Sequence, residues 1–600
     1  MKSSSVLFVL IAILCSNSAF SQVTFLDEVF PFDKSQPALG TWHGTVTLPQ
    51  SPDKRVFASF TIVSDQGDPS VTMTLIPAGA LSKPGSIVTI QDDTLEISLV
   101  GVGGEYRFDG LILDAGQRFK GEVRLIASGD EEAEATTFEF ARTPSPLDLP
   151  DPLAFSGELS AGGMKIGMSI VLGRTPGGNW VGHLDVPMQS LKGFPLVDIT
   201  ETDDVIRGHM RIPGGATFSV SLDDQNRRMQ GVFTQSGMDM VIDFARDLNY
   251  AYKEILRPQE PKPPYPYEER EIEVKHPDGF TLAGTLTIPE AAKFGLGPFP
   301  VAILISGSGQ QDRNESIMGH KPFLIIADYL TTRGIAVMRY DDRGIGGSGG
   351  LETLSGTTSE DYATDVVAVV EHLKTLQVID PTHIGLIGHS EGGLIAPMVS
   401  TMIEDIGFMV LMAGPGVKGR ELLAVQRRLL SLSVGLSEED VTVQYEVMEK
   451  LTQLALDGAS VREIVNECLR LSLEEDPDLG GMTEELFRKN ARGQLAVLTK
   501  PWMLYFLDYD PAPALAQVTC PVLAINGTKD LQVWHEQNLD TIERTLSEQG
   551  IDVTAIRYEG LNHLFQPAQT GAISEYAEID ITIDEGVLRD MASWIESKVK

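Results

Sequence analysis

Ser390 sits in Gly388-His389-Ser390-Glu391-Gly392, after the short apolar run Ile384-Gly385-Leu386-Ile387 and before the small, helix-compatible residues Gly393 to Ala396. The pattern reads as strand, sharp turn and helix. A serine lifted off the end of a central strand leaves no room for side chains two residues either side, a need that Gly388 and Gly392 meet. The N–H groups that open the helix then face the site, and that of Glu391 can stabilise an oxyanion. The chemistry on offer is acyl transfer through a serine nucleophile. The same spacing recurs in Gly346-Gly347-Ser348-Gly349-Gly350. Ser348 follows Asp341-Asp342-Arg343-Gly344 and no apolar helix follows it, so it reads as a flexible loop residue.

A serine nucleophile needs a base, and the base needs an acid to orient it. The chain has ten histidines. His43, His183 and His209 fall in a β-rich half without other chemistry, and His276 lies in strands that precede the site. His320, His372 and His383 come before Ser390, and His389 adjoins it but would point the wrong way from the turn. His535 and His563 remain. His563 lies in Glu559-Gly560-Leu561-Asn562-His563-Leu564-Phe565, between an expected strand and the final helix, where a base belongs. The acid should follow a strand between serine and histidine. Val522 to Asn526 is such a strand, Gly527-Thr528-Lys529 its turn, and Asp530 the exit. Asp530 also fits a helix N-cap. Asp508 and Asp510 precede the strand and fit the order less well. An oxyanion hole takes a second N–H from the loop after an earlier strand, and Gly307-Ser308-Gly309 follows Phe299 to Ser306. Ser308 N–H and Glu391 N–H are assigned to it, with Gly309 the alternative to Ser308.

The elements that must position these groups begin near residue 268. Strands are expected at Glu271–Lys275 and Thr281–Ile288 as an antiparallel pair, then at 299–306, 335–340, 384–388, 408–413, 522–526 and 553–558. Helices alternate with them at 325–333, 360–376, after Ser390, and at 583–599. Such alternation gives a parallel sheet covered on both faces, with ligands gathering at the strand C-terminal ends. Residues 417–516 interrupt it with helical signals, which fit either a lid or an added helical layer.

Before this lies a stiff Pro-rich linker within 251–267, centred on Pro258 to Pro266. Residues 22–250 alternate short apolar strands with Gly, Asp and Pro turns and read as all-β. They also look duplicated. Pro77, Leu81, Phe108, Asp114 and Gly121 recur about 110 residues later as Pro187, Leu191, Phe218, Asp224 and Gly231, and Phe140-Ala141-Arg142 returns as Phe244-Ala245-Arg246. Two modules are expected, 22–148 and 149–250, either barrels or sandwiches. Trp42 and Trp180 could line a ligand face, but core packing is the default.

The chain has 600 residues, 84 acids against 47 bases and a net charge of −37, which argues against nucleic acid or anionic membranes as partners. Lys2, an apolar stretch from Val6 to Leu14 and Ala19-Phe20-Ser21 read as a signal peptide over residues 1–21, so a secreted or periplasmic protein is expected. Cys468 and Cys520 lie in no CxxC or metal-ligand pattern, and two buried free thiols are expected.

Residues 268–600 resemble the serine hydrolases of the α/β-hydrolase superfamily, in particular bacterial secreted esterases and the related S9/S33-type serine peptidases. The resemblance rests on Ser306-Gly307-Ser308-Gly309 with Gln311-Asp312-Arg313-Asn314, on Tyr340-Asp341-Asp342-Arg343-Gly344, on Gly388-His389-Ser390-Glu391-Gly392-Gly393, on Asn526-Gly527-Thr528-Lys529-Asp530 and on Asn562-His563. It implies an α/β-hydrolase fold and a catalytic triad of Ser390, Asp530 and His563 that needs no metal or organic cofactor. The implied partner is a small ester or peptide. The pattern departs from lipases at Ser306, which stands where a His usually begins the oxyanion loop. Asp342 and Arg343 are expected to form an ion pair that holds their loop. The chemistry leaves ester and amide open, and a non-catalytic envelope binding protein is the remaining alternative.

Overall fold

A computed structural model describes residues 40–599 apart from 48–54, 66–67, 77–80, 92–93, 102–103, 114–117, 127–134, 144–145, 147–148, 162–163, 188–190, 211–215, 236–237, 252–256, 434 and 480–482. The expected signal peptide, and Pro77 and Asp114 of the repeat, lie outside the described residues. The chain divides into two compact units that meet near residue 255.

The N-terminal unit holds two closed eight-stranded antiparallel barrels. The first runs from Gly40–Thr47 to Thr136–Thr143, which pair with each other to close it. The second runs from Leu153–Ala161 to Met238–Arg246 and closes in the same way. Closure removes every free sheet edge, and eight strands leave an interior that side chains can fill. Trp42, Phe108, Phe119, Phe138 and Phe140 fill the first, and Phe155, Leu172, Phe218 and Phe244 help fill the second. Trp180 packs in the same core. The internal repeat has a steric basis. Phe108 and Phe218 both lie on the sixth strand of their barrel, and Gly121 and Gly231 on the seventh. A Cβ on Gly121 would stand 2.0 Å from the Asp109 carbonyl oxygen, and one on Gly231 would stand 2.1 Å from that of Ser219. At both positions the neighbouring strand passes too close for any side chain.

The C-terminal unit is built on one eight-stranded sheet. Its spatial order is Glu268–Lys275, Thr281–Ile288, Ala336–Tyr340, Phe299–Ile305, Ile379–His389, Phe408–Met412, Val522–Gly527 and Val553–Tyr558. The first two pairings are antiparallel and the rest parallel. The central strands are buried almost throughout, as continuous apolar runs require when helices cover both faces. Pro322–Thr331 and Glu585–Lys598 pack on one face with Phe323, Leu330, Val587 and Met591. Ser359–Leu373, Glu391–Met402 and His535–Glu548 pack on the other with Val366, Val370, Leu394, Val399 and Leu539.

Between Met412 and Val522 the chain forms helices Gly419–Ser433, Glu438–Leu456, Val461–Glu475, Glu484–Leu495, Pro501–Asp508 and Ala512–Leu515. Ser437 with Asp440, and Ser460 with Glu463, form capping boxes that fix two of the starts. Leu451, Ile464, Phe487, Leu498 and Leu507 give these helices a core of their own. No described helix is long and apolar enough to cross a membrane.

Cys468 and Cys520 are buried and unpaired. Burial pushes the Cys468 thiol up to about 11 and the Cys520 thiol up to about 12. Neither forms thiolate near neutrality, so the native protein is expected to leave a thiol-reactive dye unreacted at pH 8 at these two positions. Unfolding in denaturant should release both, which absorbance titration before and after denaturation measures.

Candidate active site

The strand Ile379–His389 ends at the sheet's centre, and Ser390 turns it into the helix Glu391–Met402. Ser390 has φ 53° and ψ −120°, a conformation that L-residues rarely adopt and that must be held from outside. Its N–H donates to the Met412 carbonyl at 2.8 Å, and its own carbonyl accepts the Gly393 N–H at 2.8 Å. The two glycines show why nothing larger fits. A Cβ on Gly388 would lie 2.0 Å from the Gly392 carbonyl oxygen, and one on Gly392 would lie 2.1 Å from that of Ile305. Gly392→Ala is therefore expected to cost about 3 kcal/mol or more of stability, read from denaturant melts. Backbone faces the new methyl on the Ile305 side, so no rotamer change can relieve the clash.

Asp530 leaves the turn after Val522–Gly527, and His563 lies in the loop after Val553–Tyr558. A Cβ on Gly527 would stand 2.1 Å from the Leu561 carbonyl oxygen, so a bare backbone here lets the two loops approach. His563 Nδ1 and Asp530 Oδ2 are 2.8 Å apart, with both side chains buried. Asp530 Oδ1 accepts the N–H groups of Gln532 and Val533, each at 2.8 Å. The aspartate thus organises its own turn with one oxygen and the histidine with the other. Helix His535–Glu548 starts later, with Trp534 at its N-cap position, so Asp530 does not cap it. Buried Asn562 builds the histidine loop: its Oδ1 accepts from Leu564 N at 3.0 Å and Gln566 N at 2.9 Å.

His389, next to Ser390, reaches the His563 loop: its Nε2 is 3.0 Å from the His563 carbonyl oxygen. Its Nδ1 is 2.9 Å from Glu315 Oε1, which also accepts the Gly307 N–H at 2.7 Å. Glu315 had no sequence signal beyond its place next to Gln311-Asp312-Arg313-Asn314, because its partner His389 lies 74 positions away in the chain. Gly307 packs close to the nucleophile, with room for a Cβ only 3.1 Å from that of Ser390. The Gly307 N–H is taken by Glu315, whereas those of Ser308 and Glu391 meet no acceptor among the described residues.

The Glu391 side chain is buried. Burial pushes its carboxyl above the usual carboxylate range, against the opposing pull of hydrogen bonds from Ser359, Trp502 and Ser308. Ser359 Oγ donates to Glu391 Oε1 at 2.5 Å and Trp502 Nε1 at 2.8 Å.

Two expectations change. Arg343 does not pair with Asp342. Successive side chains leave the strand end in different directions, so Arg343 reaches Asp365, at 2.8 Å from Nε and 2.7 Å from Nη2. Asp342 turns to the oxyanion loop, where it accepts Ser306 Oγ and Gln311 N, each at 2.9 Å. Its burial holds that carboxyl well above the usual range. Ser306, in the place of the lipase histidine, thus ties the loop to Asp342. Ser348 is not a flexible residue either. It is buried, donates from Oγ to the Asp341 carbonyl at 2.6 Å and accepts the Ala283 N–H at 2.9 Å.

The other histidines stand apart from Ser390. Buried His320 bonds Thr582 Oγ1 and the Tyr576 carbonyl, and burial pushes it down to about 4. His535 begins a helix, its ring 4.7 Å from that of Trp534. Among the described residues no group of three or more His, Cys, Asp or Glu side chains could hold a metal ion.

The family model described as "Serine aminopeptidase, S33" matches residues 321–464, the stretch that contains Ser390. Esterase EstD of Thermotoga maritima is 27% identical over 339 residues, spanning 55% of this chain and 68% of that protein. A solved structure of the Pyrococcus furiosus esterase Pf2001 aligns over 58% of this chain and 100% of its own, with 17% identity and a TM-score of 0.34. Est1E from Butyrivibrio proteoclasticus aligns over 55% and 98%, with 15% identity and a TM-score of 0.30. With its sheet of antiparallel opening and parallel centre and its serine elbow, the C-terminal part of this chain has the α/β-hydrolase fold, and its sequence similarity to the S33 family model and to Esterase EstD supports a hydrolase.

Proposed function

We propose that the protein is an exported carboxylic-ester hydrolase in which Ser390 is the nucleophile, His563 the general base and acid, and Asp530 the orienting acid. The observation that carries the reading is the buried His563–Asp530 pair at 2.8 Å, in the same sheet as a serine held at positive φ at the end of the strand Ile379–His389. Asp530 engages Nδ1, which leaves Nε2 to take the Ser390 proton as the oxygen attacks a carbonyl. The tetrahedral oxyanion is received by the N–H groups of Ser308 and Glu391. His563 then protonates the leaving alcohol, and water, deprotonated by the same Nε2, releases the acid. The helices between Met412 and Val522 cover the site as a lid.

The peptidase reading draws support from the family model, but an aminopeptidase needs a carboxylate open to the substrate amine. The Glu391 carboxylate faces the hydroxyls of Ser359 and Ser308 and the indole of Trp502, so the acid nearest the nucleophile is already engaged. This favours the ester, as does the likeness to Esterase EstD. The test is a matched panel of short- and medium-chain nitrophenyl esters beside aminoacyl and dipeptidyl anilides. Ester turnover far above anilide turnover supports the reading. Comparable anilide turnover moves the protein to the peptidases, and inertness toward both favours the binding-protein alternative. For export, the expectation is a mature N-terminus at Gln22, read by N-terminal sequencing of protein from a periplasmic or culture fraction.

A further inference from the structure

His389, next to the nucleophile, has a hydrogen-bonding arrangement that a neutral imidazole satisfies poorly. Nε2 faces the His563 carbonyl at 3.0 Å, and a carbonyl only accepts, so this nitrogen carries a proton. Nδ1 faces Glu315 Oε1 at 2.9 Å. That oxygen also receives the Gly307 N–H at 2.7 Å, while Glu315 Oε2 has no partner. Two ring nitrogens aimed at two acceptors describe an imidazolium paired with a carboxylate. Both side chains are nearly sealed from solvent, at 7% and 5% exposed. Glu315 is held at φ 51°, a conformation unfavourable for glutamate that delivers its carboxylate to both donors.

The pair touches three segments at once. Through Gly307 it holds the oxyanion loop, through the backbone of residue 389 it adjoins Ser390, and through the His563 carbonyl it holds the base's loop. Resting on the ester-hydrolase reading above, we infer that Glu315 and His389 are positioning residues: their buried ion pair sets the His563 loop and the Gly307 loop against Ser390, and full turnover requires His389 as the imidazolium. The charged groups that face His389 are Glu315, from the oxyanion loop, and Asp530, behind His563, whose ring centroid is 4.9 Å away. Burial alone would push His389 down. The Glu315 charge and hydrogen bond, the His563 carbonyl and Asp530 outweigh it and hold His389 above the usual histidine range.

The sign of the pH effect follows. The alignment is present while His389 is protonated and is lost as pH rises through its raised pKa. Activity should fall at higher pH as His389 loses its proton. The experiment is the pH dependence of kcat and KM on one nitrophenyl ester for wild type, Glu315→Gln, His389→Gln and Ser390→Ala, with thermal melts to check folding. Glu315→Gln is expected to move the alkaline limb down by about one pH unit or more, and to lower kcat near neutrality by roughly 10–100-fold with KM little changed. His389→Gln keeps an N–H for the His563 carbonyl but cannot titrate, so its alkaline limb should vanish while part of kcat survives. Nitrogen NMR of labelled histidine in Ser390→Ala supplies a readout that needs no turnover: His389 should show both ring nitrogens protonated at pH 7. A pH profile of unchanged shape in both glutamine variants, or a neutral His389 at pH 7, overturns the inference. Turnover that survives in Ser390→Ala instead overturns the ester-hydrolase reading on which it rests.

Discussion

Ser390→Ala is expected to abolish ester turnover while leaving the protein folded. The expected fall in kcat is on the order of 10⁶-fold, the scale seen when a nucleophile acting within a triad is removed. The fold should tolerate the change for a particular reason. Ser390 holds φ 53° through its backbone bonds to Met412 and Gly393, and alanine meets the same backbone constraints as serine. The hydroxyl forms no hydrogen bond among the described residues, so its loss strands no partner. Melting temperature and circular dichroism should stay close to wild type while turnover of a nitrophenyl ester disappears into the background. A variant that retains a few per cent of activity would show that another group attacks the carbonyl.

Asp530→Asn is the second large effect, a fall in kcat of roughly 10⁴-fold with the geometry intact. The two carboxylate oxygens have separate duties. Oδ1 accepts the Gln532 and Val533 N–H groups, and an asparagine oxygen can accept both in the same place. Oδ2 faces His563 Nδ1, and there asparagine presents an NH₂. Two donors cannot share one proton, so His563 is driven to the tautomer with its proton on Nε2. That nitrogen then cannot accept from Ser390. The variant should remain folded, bind ester with little change in KM and lose almost all of kcat. Equal loss in Asp530→Ala and Asp530→Asn, with both destabilised, would instead make the residue a structural turn former.

The fold around the site was legible because its signals are local. Apolar strand runs, Gly388 and Gly392 around Ser390, and the loop after the last strand each declare themselves within a dozen residues. The hydrogen-bond network was less so. Glu315 meets His389 across 74 positions of sequence, and nothing in its neighbourhood announces that meeting. Asp342 and Arg343 were misread for a related reason: adjacent charges look like partners, whereas the strand end sends them to different neighbours. The repeat in the β-rich half was visible, but barrel and sandwich share the same two-residue alternation. Only the pairing of first and last strands tells them apart. Helix Pro501–Asp508 carries no amphipathic signal of its own, because its sequence, Pro-Trp-Met-Leu-Tyr-Phe-Leu-Asp, is apolar on almost every side, and periodicity needs a polar face to be seen.

That same short helix ties the helices between Met412 and Val522 to the turn that carries Ser390. Trp502 is bonded to the carboxylate of Glu391, whose own N–H opens the helix behind the nucleophile. A rigid outward swing of these helices would break that bond and strip a buried acid of a donor, at a cost in stability. Leu507 of the same helix shares a core with Leu451, Ile464 and Phe487, so Pro501–Asp508 couples the whole group of helices to the helix that begins at Glu391.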